Sequence, residues 1–363
     1  MKIVIAGAGE VGTHLAKMLA RERQDITLID SDPEKLQKIG NQNAEIMAVR
    51  GNPTAIKDLK EVGVGKADLF VGVTPEETAN ITACFIAIAA SAVAQQETKD
   101  LLPEHTFTNG IEGPATDKAG NLYAVNYAEE GTVGIVRADG THALYVNLPK
   151  GSTGNGIRFN HSGIMLVADY TGHNILAVDT TTKTISVFAH ESLMNQPNDI
   201  ALAPNGNIYA SDPNWKNKTG QLWLIRPNGE VVQLGKELGT TNGIEVSPNG
   251  KTLYVDESAQ LKLWAYPIKK DGTVGKRKLI HTFEGFGMDG MKTDVKGNIY
   301  LCRYDKGTIA VLSPKGRLLK EIQLKGKQPS NITFGGKDNR QCFVTLQDRG
   351  CFETFTVPFP GRE

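Results

Sequence analysis

Six short stretches of this chain carry an oxygen-bearing side chain at one repeated position. Glu112, Asn155, Asn198, Asn242 and Asp289 each lie eight residues before a glycine, at Gly120, Gly163, Gly206, Gly250 and Gly297. Asn331 holds the matching place in a sixth, more degenerate copy, ahead of the GGKDN stretch. The glycines are 43, 43, 44 and 47 residues apart, the period of one four-stranded propeller blade. A residue recurring once per blade at one strand position faces the central axis, so six of them form a ring. This ring holds only carboxylates and amides, a composition suited to a hard, oxygen-liganded cation such as Ca²⁺.

From Leu101 onward, short alternating strands are separated by frequent Asn-Gly, Asp-Gly and Pro-Asn turns, and each copy shows a turn followed by an apolar strand: DKAGNLYAVNY, NHSGIMLVADY, APNGNIYASDP, SPNGKTLYVDE, DVKGNIYLCRY and GKDNRQCFVTLQ. The period predicts a six-bladed β-propeller over 101–363, at about 44 residues per blade. Closure of the ring is expected where a strand near LPEHTFT meets the C-terminal blade near FETFTV.

The first ninety residues have a different grammar. KIVIAGAG is an apolar strand running into Gly7-x-Gly9-x-x-Gly12 and the helical pattern VGTHLAKMLARE, and a second strand, DITLID, ends at Asp30. This is the full context of a dinucleotide fingerprint. The glycines permit a tight turn and close approach of a pyrophosphate to a helix N-terminus, and Asp30 can accept the ribose hydroxyls. NAD or an adenine nucleotide is the ligand expected, with NAD favoured over NADP because no Arg adjoins Asp30. A helix after Pro33, a strand AEIMAV, a helix from Thr54 to Val62, a strand DLFVGVT and the segment EETANITACFIA follow. No catalytic acid, base or substrate pocket is evident within 1–87, which argues against a dehydrogenase.

The motifs GAGEVGTHLAKML, LIDSDPEKL, the GNPT turn and DLFVGVTPEETANITACFIA resemble the nucleotide-binding lobe of the regulatory domains of bacterial potassium-uptake systems. The resemblance covers about residues 1–87. Where that family usually has an acid, this chain has Asn52, and the family's later strands and helix are missing. The expected fold class is therefore multidomain: a truncated Rossmann-like α/β lobe (1–87), an Ala-rich joint (88–100) and an all-β six-bladed propeller (101–363). An amputated sheet exposes the edge beside its fourth strand, so self-association through this lobe is one expectation and cover by the linker another.

The stretches IEGPATDKAGNLYAVN, QPNDIALAPNGNIYASD, TTNGIEVSPNGKTLYVDES, GMDGMKTDVKGNIYLCRY and PSNITFGGKDNRQCFVT resemble the gluconolactonase, regucalcin and luciferin-regenerating-enzyme family of six-bladed propellers. That resemblance implies one divalent cation at the mouth of the channel, with Glu112, Asn198, Asn242 and Asp289 as its ligands, and Asn155 and Asn331 facing substrate or water. It implies a Ca²⁺-dependent lactone hydrolase, gluconolactonase-like, acting on a small-molecule lactone. In it Asp289, a ligand with a second oxygen, deprotonates the attacking water. Asp199 either orients substrate or is a solvated turn acid. Some sugar-lactone members carry an Arg two residues before the third ligand, where this chain has Gln196.

For a single Asn, a strand-end turn or a satisfied channel amide explains the residue well enough. Six in one phase are not required by turn chemistry. An ion pair would explain Glu112 and Asp289, but no Arg or Lys recurs at a neighbouring ring position. His161, His173, His190 and His281 stand outside the ring phase and read as surface or loop residues.

Formal net charge is zero, with 40 basic and 40 acidic residues, and neither half is basic enough to suggest a nucleic-acid or anionic-membrane partner. Cys84, Cys302, Cys342 and Cys351 lack metal-ligand spacing and read as reduced thiols. Met1 opens directly into a strand, so the chain reads as cytoplasmic. Yet FIAIAASAVAQQE, with an Ala92-Val93-Ala94 pattern, looks like the end of a signal peptide too short to span a bilayer, or else an Ala-rich helix. The join suggests a fusion, natural or constructed, and leaves open a periplasmic or exported parent for the propeller. A non-enzymatic Ca²⁺ or ligand binder with a nucleotide-sensing lobe is the alternative to the lactonase.

Overall fold

The computed structural model describes residues 2–40, 45–76, 80 and 98–362. Most of EETANITACFIA and residues 88–97 of the predicted joint lie outside the described residues. The chain divides into two compact units, Met1–Gln95 and Gln96–Glu363. Among the described residues no helix is long and apolar enough to cross a membrane.

The first unit is a parallel four-stranded sheet in the order β3-β2-β1-β4, built from β1 (Lys2–Ala6), β2 (Asp25–Asp30), β3 (Ile46–Arg50) and β4 (Leu69–Gly72). Its helices are α1 (Glu10–Arg21), α2 (Pro33–Gly40) and α3 (Ile56–Glu61). In β1, Ile3, Val4, Ile5 and Ala6 are all buried, as expected of a central parallel strand covered on both faces. Helix α1 buries Gly12, Ala16 and Ala20, one small residue per turn, so it can lie close to the sheet. Helix α3 starts two residues later than Thr54, because Asn52 turns back on that segment: its Oδ1 accepts the Thr54 N–H at 2.8 Å and the Thr54 hydroxyl at 2.7 Å. Strand β4 pairs with β1, and among the described residues no strand pairs with its other side.

The second unit is six four-stranded antiparallel blades, with strands paired in sequence order except in the last blade, whose outer strand comes from the start of the unit. The innermost strands are Phe107–Thr116, Gly154–Phe159, Ile200–Leu202, Thr241–Val246, Met291–Thr293 and Pro329–Gly335. The repeating glycines mark the turn leaving each of these strands: Gly120, Gly163, Gly206, Gly250 and Gly297 have φ of 83°, 83°, 84°, 68° and 79°. A side chain there would be strained, which is why the residue recurs. Apolar faces of adjacent blades pack on one another, for example Tyr300, Cys302 and Val311 of blade five against Ile332, Val344 and Phe355 of blade six.

Closure uses the strand β5 (Lys99–Asp100), immediately upstream of the expected LPEHTFT, which pairs Asp100 with Glu353 and Lys99 with Thr354 in the last blade. The chain then stays hydrogen-bonded to that blade through the Leu101, His105 and Phe107 amides. Arg349 reaches Asp100 at 2.7 Å and Lys325 reaches it at 3.1 Å. Cys302, Cys342 and Cys351 are buried and unbridged.

Candidate active site

Asn155, Asn242 and Asn331 sit near the starts of their innermost strands, Glu112 in the middle of its own and Asn198 and Asp289 two residues before theirs, and irregular pairing aims four of the six. The ladder slips at 154–157, at 241–244, on both sides of Glu112 and just before Asn331. A bulge re-aims the side chain that it carries, here toward the axis. Four of the six are followed by glycine: Glu112-Gly113, Asn155-Gly156, Asn242-Gly243 and Asp289-Gly290. A Cβ on Gly113 would lie 2.0 Å from the Asn155 carbonyl oxygen, and one on Gly290 would lie 2.0 Å from the Asn331 side chain. Glycine after these four ring residues therefore lets neighbouring blades touch at the axis. This polar-Gly step is a sequence signal that the eight-residue spacing alone passes over.

Glu112, Asn155, Asn198, Asn242 and Asp289 line one cavity of about 490 Å³. Asn331 lies against it, its amide donating to Glu112 Oε2 at 3.1 Å. Glu112 Oε2 also accepts the Gly113 N–H. The wider wall includes Tyr170, Trp215, Tyr304, Asn126, Gln347, Ser258 and, at the rim, Glu130. Tyr304 donates its hydroxyl to Gln347 Oε1 at 2.9 Å. Among the described residues lining the cavity, none is Lys, Arg or His.

Burial pushes the Glu112 carboxyl up to about 8, and the charge of Asp199 adds to the effect. Asp289 is raised well above the carboxylate range, by burial and then by Glu112 and Asp256, while the neighbouring Asn242 works the other way. Two acids thus face one cavity and oppose each other's ionisation. The amide oxygens of Asn155 and Asn242 are buried without a hydrogen-bond partner. Oxygen donors left unpaired beside two mutually repelling carboxylates fit a divalent cation held by Glu112, Asn198, Asn242 and Asp289. Among the described residues no group of three His, Cys, Asp or Glu forms such a site, so the amides are needed to complete it.

Asp199 is neither a solvated turn acid nor part of the cavity wall. It occupies the place that glycine holds in four other blades, is fully buried, and pairs with Arg158 at 2.9 Å. Deeper along the axis, Lys292 meets Glu245 at 2.9 Å and Arg362 meets it at 2.5 Å. Burial alone would raise Glu245, but Lys292, Arg362 and Arg158 together hold it at about 2. Burial and then the charge of Arg158 push Lys292 down to about 8, against the opposing pull of Glu245 and Asp199. The absence of cations near the ring is thus corrected. Arg158, Glu245 and Lys292 each lie three residues after a ring member, where the innermost strand next faces the channel. Arg158 pairs with Asp199 and Lys292 with Glu245, so neither forms an ion pair with a ring carboxylate, although the charge of Arg158 still favours ionised Glu112. His281 and His173 bond to backbone carbonyls and His190 to Asn174, all away from the cavity.

In the first unit, Gly7 has φ of 112°, and a Cβ on Gly12 would lie 1.9 Å from the Gly7 carbonyl oxygen, so both glycines are required by the turn. Around Gly9 there is open space, and no side chain caps α1. Asp30 closes the loop: its Oδ2 accepts the Ala8 N–H at 2.6 Å and its Oδ1 the Asp32 N–H at 2.9 Å.

Residues 109–348 match the family described as SMP-30/Gluconolactonase/LRE-like region. The chain belongs to this family. Residues 3–101 match the TrkA-N domain, so a Rossmann-like lobe precedes the propeller. The propeller is 30% identical over 172 residues to the 6-deoxy-6-sulfogluconolactonase of Pseudomonas putida, covering 45% of this chain and 59% of that protein. The lobe is 43% identical over 84 residues to the Trk system potassium uptake protein TrkA of Haemophilus influenzae, covering 23% of this chain and 18% of that one. The chain thus spans less than two thirds of either relative. Among solved structures, a calcium-binding regucalcin from Agrobacterium tumefaciens superposes with a TM-score of 0.65 at 22% identity, over 74% of this chain and 96% of that one. The same fold is shared.

Proposed function

We propose that the propeller is a divalent-cation-dependent lactone hydrolase, with Glu112, Asn198, Asn242 and Asp289 holding Ca²⁺ or a similar ion. The observation that carries the reading is the pair Glu112 and Asp289: two raised carboxyls on one cavity, with no cationic side chain on its wall and unpaired amide oxygens beside them. When bound, the cation supplies positive charge to the lactone carbonyl and to the oxyanion that develops from it. Asp289 takes a proton from water as its oxygen joins the carbonyl carbon. It returns that proton to the ring oxygen as the acyl C–O bond breaks, so the carboxylate is restored. Asn155 orients substrate or water at the same rim, whereas Asn331 spends its amide on Glu112 Oε2 and its carbonyl oxygen on the Ile332 N–H, and so steadies the acid instead.

The wall also bears on the substrate. Amides, hydroxyls and the aromatic faces of Tyr170 and Trp215 suit a neutral polyhydroxy lactone, since aromatic faces take apolar sugar edges and amides take hydroxyls. A sulfonate, as in the substrate named for the Pseudomonas relative, would meet Glu130 and no cation. Assay of neutral sugar, sulfonated and aliphatic lactones, with and without chelator, tests the proposal. Chelator-sensitive turnover of the neutral sugars supports it. No turnover of any lactone, with Ca²⁺ binding intact, transfers the ring to the binding-protein reading.

For the lobe we propose adenine-nucleotide binding at Gly7, Gly9, Gly12 and Asp30 without chemistry. Calorimetry with NAD⁺, NADH, AMP and ATP checks it, and reduction of NAD⁺ with any alcohol would overturn it. In the ligand complex Asp30 must release the Ala8 amide to reach a ribose, so nucleotide binding should weaken in Asp30→Ala.

A further inference from the structure

Behind each ring residue, on the second strand of its blade, stands one partner position, occupied in blade order by Val125, Ala168, Ser211, Asp256, Cys302 and Thr345. The registers place them there: Glu112 pairs with Val125 and Asn331 with Thr345, Asp289 donates its N–H to the Cys302 carbonyl, and Asn198 donates to that of Ser211. Ala168 and Asp256 face the bulges that carry Asn155 and Asn242. All six are fully buried. Five are small or apolar, and the two hydroxyls among them are used structurally. Ser211 Oγ accepts the Asp199 N–H at 3.1 Å, and Thr345 Oγ1 accepts the Asn331 N–H at 3.0 Å.

Asp256 breaks the series. It is the one carboxylic acid of the six, and apart from the influence of the Gly243 N–H neither of its oxygens meets a full hydrogen-bonding partner. Its place is specific: a Cβ on Gly243 would lie 2.6 Å from Asp256 Oδ2 and 2.4 Å from the Asp289 carbonyl oxygen. The carboxyl therefore lies against the backbone contact joining two of the proposed ligands, Asn242 and Asp289. A buried acid with no full partner is destabilising, and the neighbouring blades show that serine, alanine or threonine fills this position. Fold stability does not account for the residue.

We infer that Asp256 is a positioning residue for the ring, a carboxyl kept behind Asn242 and Asp289 that strengthens their hold on a divalent cation. It does so from outside the ligand set, as groups packed behind metal ligands do in general. The inference rests on the reading of the ring as a cation site.

Asp256→Ser and Asp256→Ala place there the residues that blades three and two already carry, and both are tested in the full chain. Calorimetric titration with Ca²⁺ should show affinity lower by about 10- to 100-fold in both variants. Melting in chelator should be unchanged or higher than in the parent, because an unpaired buried acid has gone. The opposed directions separate positioning from structural support. Ca²⁺ affinity within about twofold of the parent in both variants would overturn the inference while leaving the cation site intact. So would a lower melting temperature in chelator in both, since the carboxyl would then be holding the blade. A parent chain that binds no Ca²⁺ would remove the cation site itself, and this inference with it.

Discussion

Asn331 donates its side-chain amide to Glu112 Oε2 at 3.1 Å, so the last blade holds a carboxylate of the first. That bond leaves Asn331 committed to orienting an acid. It leaves Glu112 with one oxygen engaged and the other directed to the cavity, which separates its role from that of Asp289.

Glu112→Gln removes one formal charge from the ring and should weaken Ca²⁺ chiefly, with excess Ca²⁺ partly restoring lactone turnover. Asp289→Asn keeps an oxygen ligand but removes the proton acceptor, so turnover should drop about 100-fold or more at saturating Ca²⁺. Steady-state rates across a Ca²⁺ titration check both. Equal, Ca²⁺-rescuable losses would make Asp289 a ligand alone.

Glu112 titrates at about 8 in the folded chain against an ordinary value of 4.5, so between those limits the folded state holds a proton that the unfolded state has released. Its contribution to stability is whole below about 4.5 and is lost as pH climbs toward 8. In chelator the melting temperature should therefore fall over that window. Ca²⁺, which binds the ionised form, should stabilise more strongly as pH rises and should release protons on binding below pH 8. Melting curves at several pH values, with Ca²⁺ or chelator, read the slope directly.

Arg158 and Asp199 are both buried, with side-chain exposures of 9% and 1%. Arg158→Met strands the acid and should cost about 3–5 kcal/mol in denaturant unfolding of the propeller. Replacing both by apolar residues, Arg158→Met with Asp199→Leu, should recover much of that loss. A single variant as stable as the parent would show the pair to be dispensable.

A chain beginning at Gln96 keeps β5 and should fold as a propeller with its Ca²⁺ binding intact. One beginning at Phe107 loses Asp100, the acid that both Arg349 and Lys325 engage, and leaves the last blade with three strands. It should melt lower or aggregate through the exposed edge. Circular dichroism melting and size-exclusion profiles of the two chains decide the matter.

Much of this architecture was legible in the sequence, because a propeller repeats its demands. Gly120 and its counterparts recur where φ is positive, and Glu112, Asn155, Asn242 and Asn331 recur where a bulge turns a side chain to the axis. Likewise Gly7, Gly12 and Asp30 occupy positions that a tight strand-to-helix turn dictates. What stayed hidden depends on depth along the channel and on contacts between blades. In sequence Asp199 reads as a substrate-orienting residue or a turn acid, because its partner, Arg158, is 41 residues away in another blade. Arg362 gave no signal at all, since it meets Glu245 only after the chain has come round the whole ring. The aromatic wall of Tyr170, Trp215 and Tyr304 comes from the turns between the second and third strands of three blades; Tyr170 and Tyr304 each stand seven residues after a repeat glycine, but that phase does not say which turns line the cavity.

Strand β5 is two residues long, and the polypeptide that follows residues 1–95 enters the propeller through it. Whatever tugs on the lobe thus tugs first on the clasp of the ring, whose ion pairs at Asp100 are partly exposed and so yield readily. Under mechanical load the chain should peel from Lys99 onward, opening the last blade before any other. Glu112 stands on the next strand in sequence, Phe107–Thr116, so a ring carboxylate is the first site residue that the pull would reach once the clasp has opened.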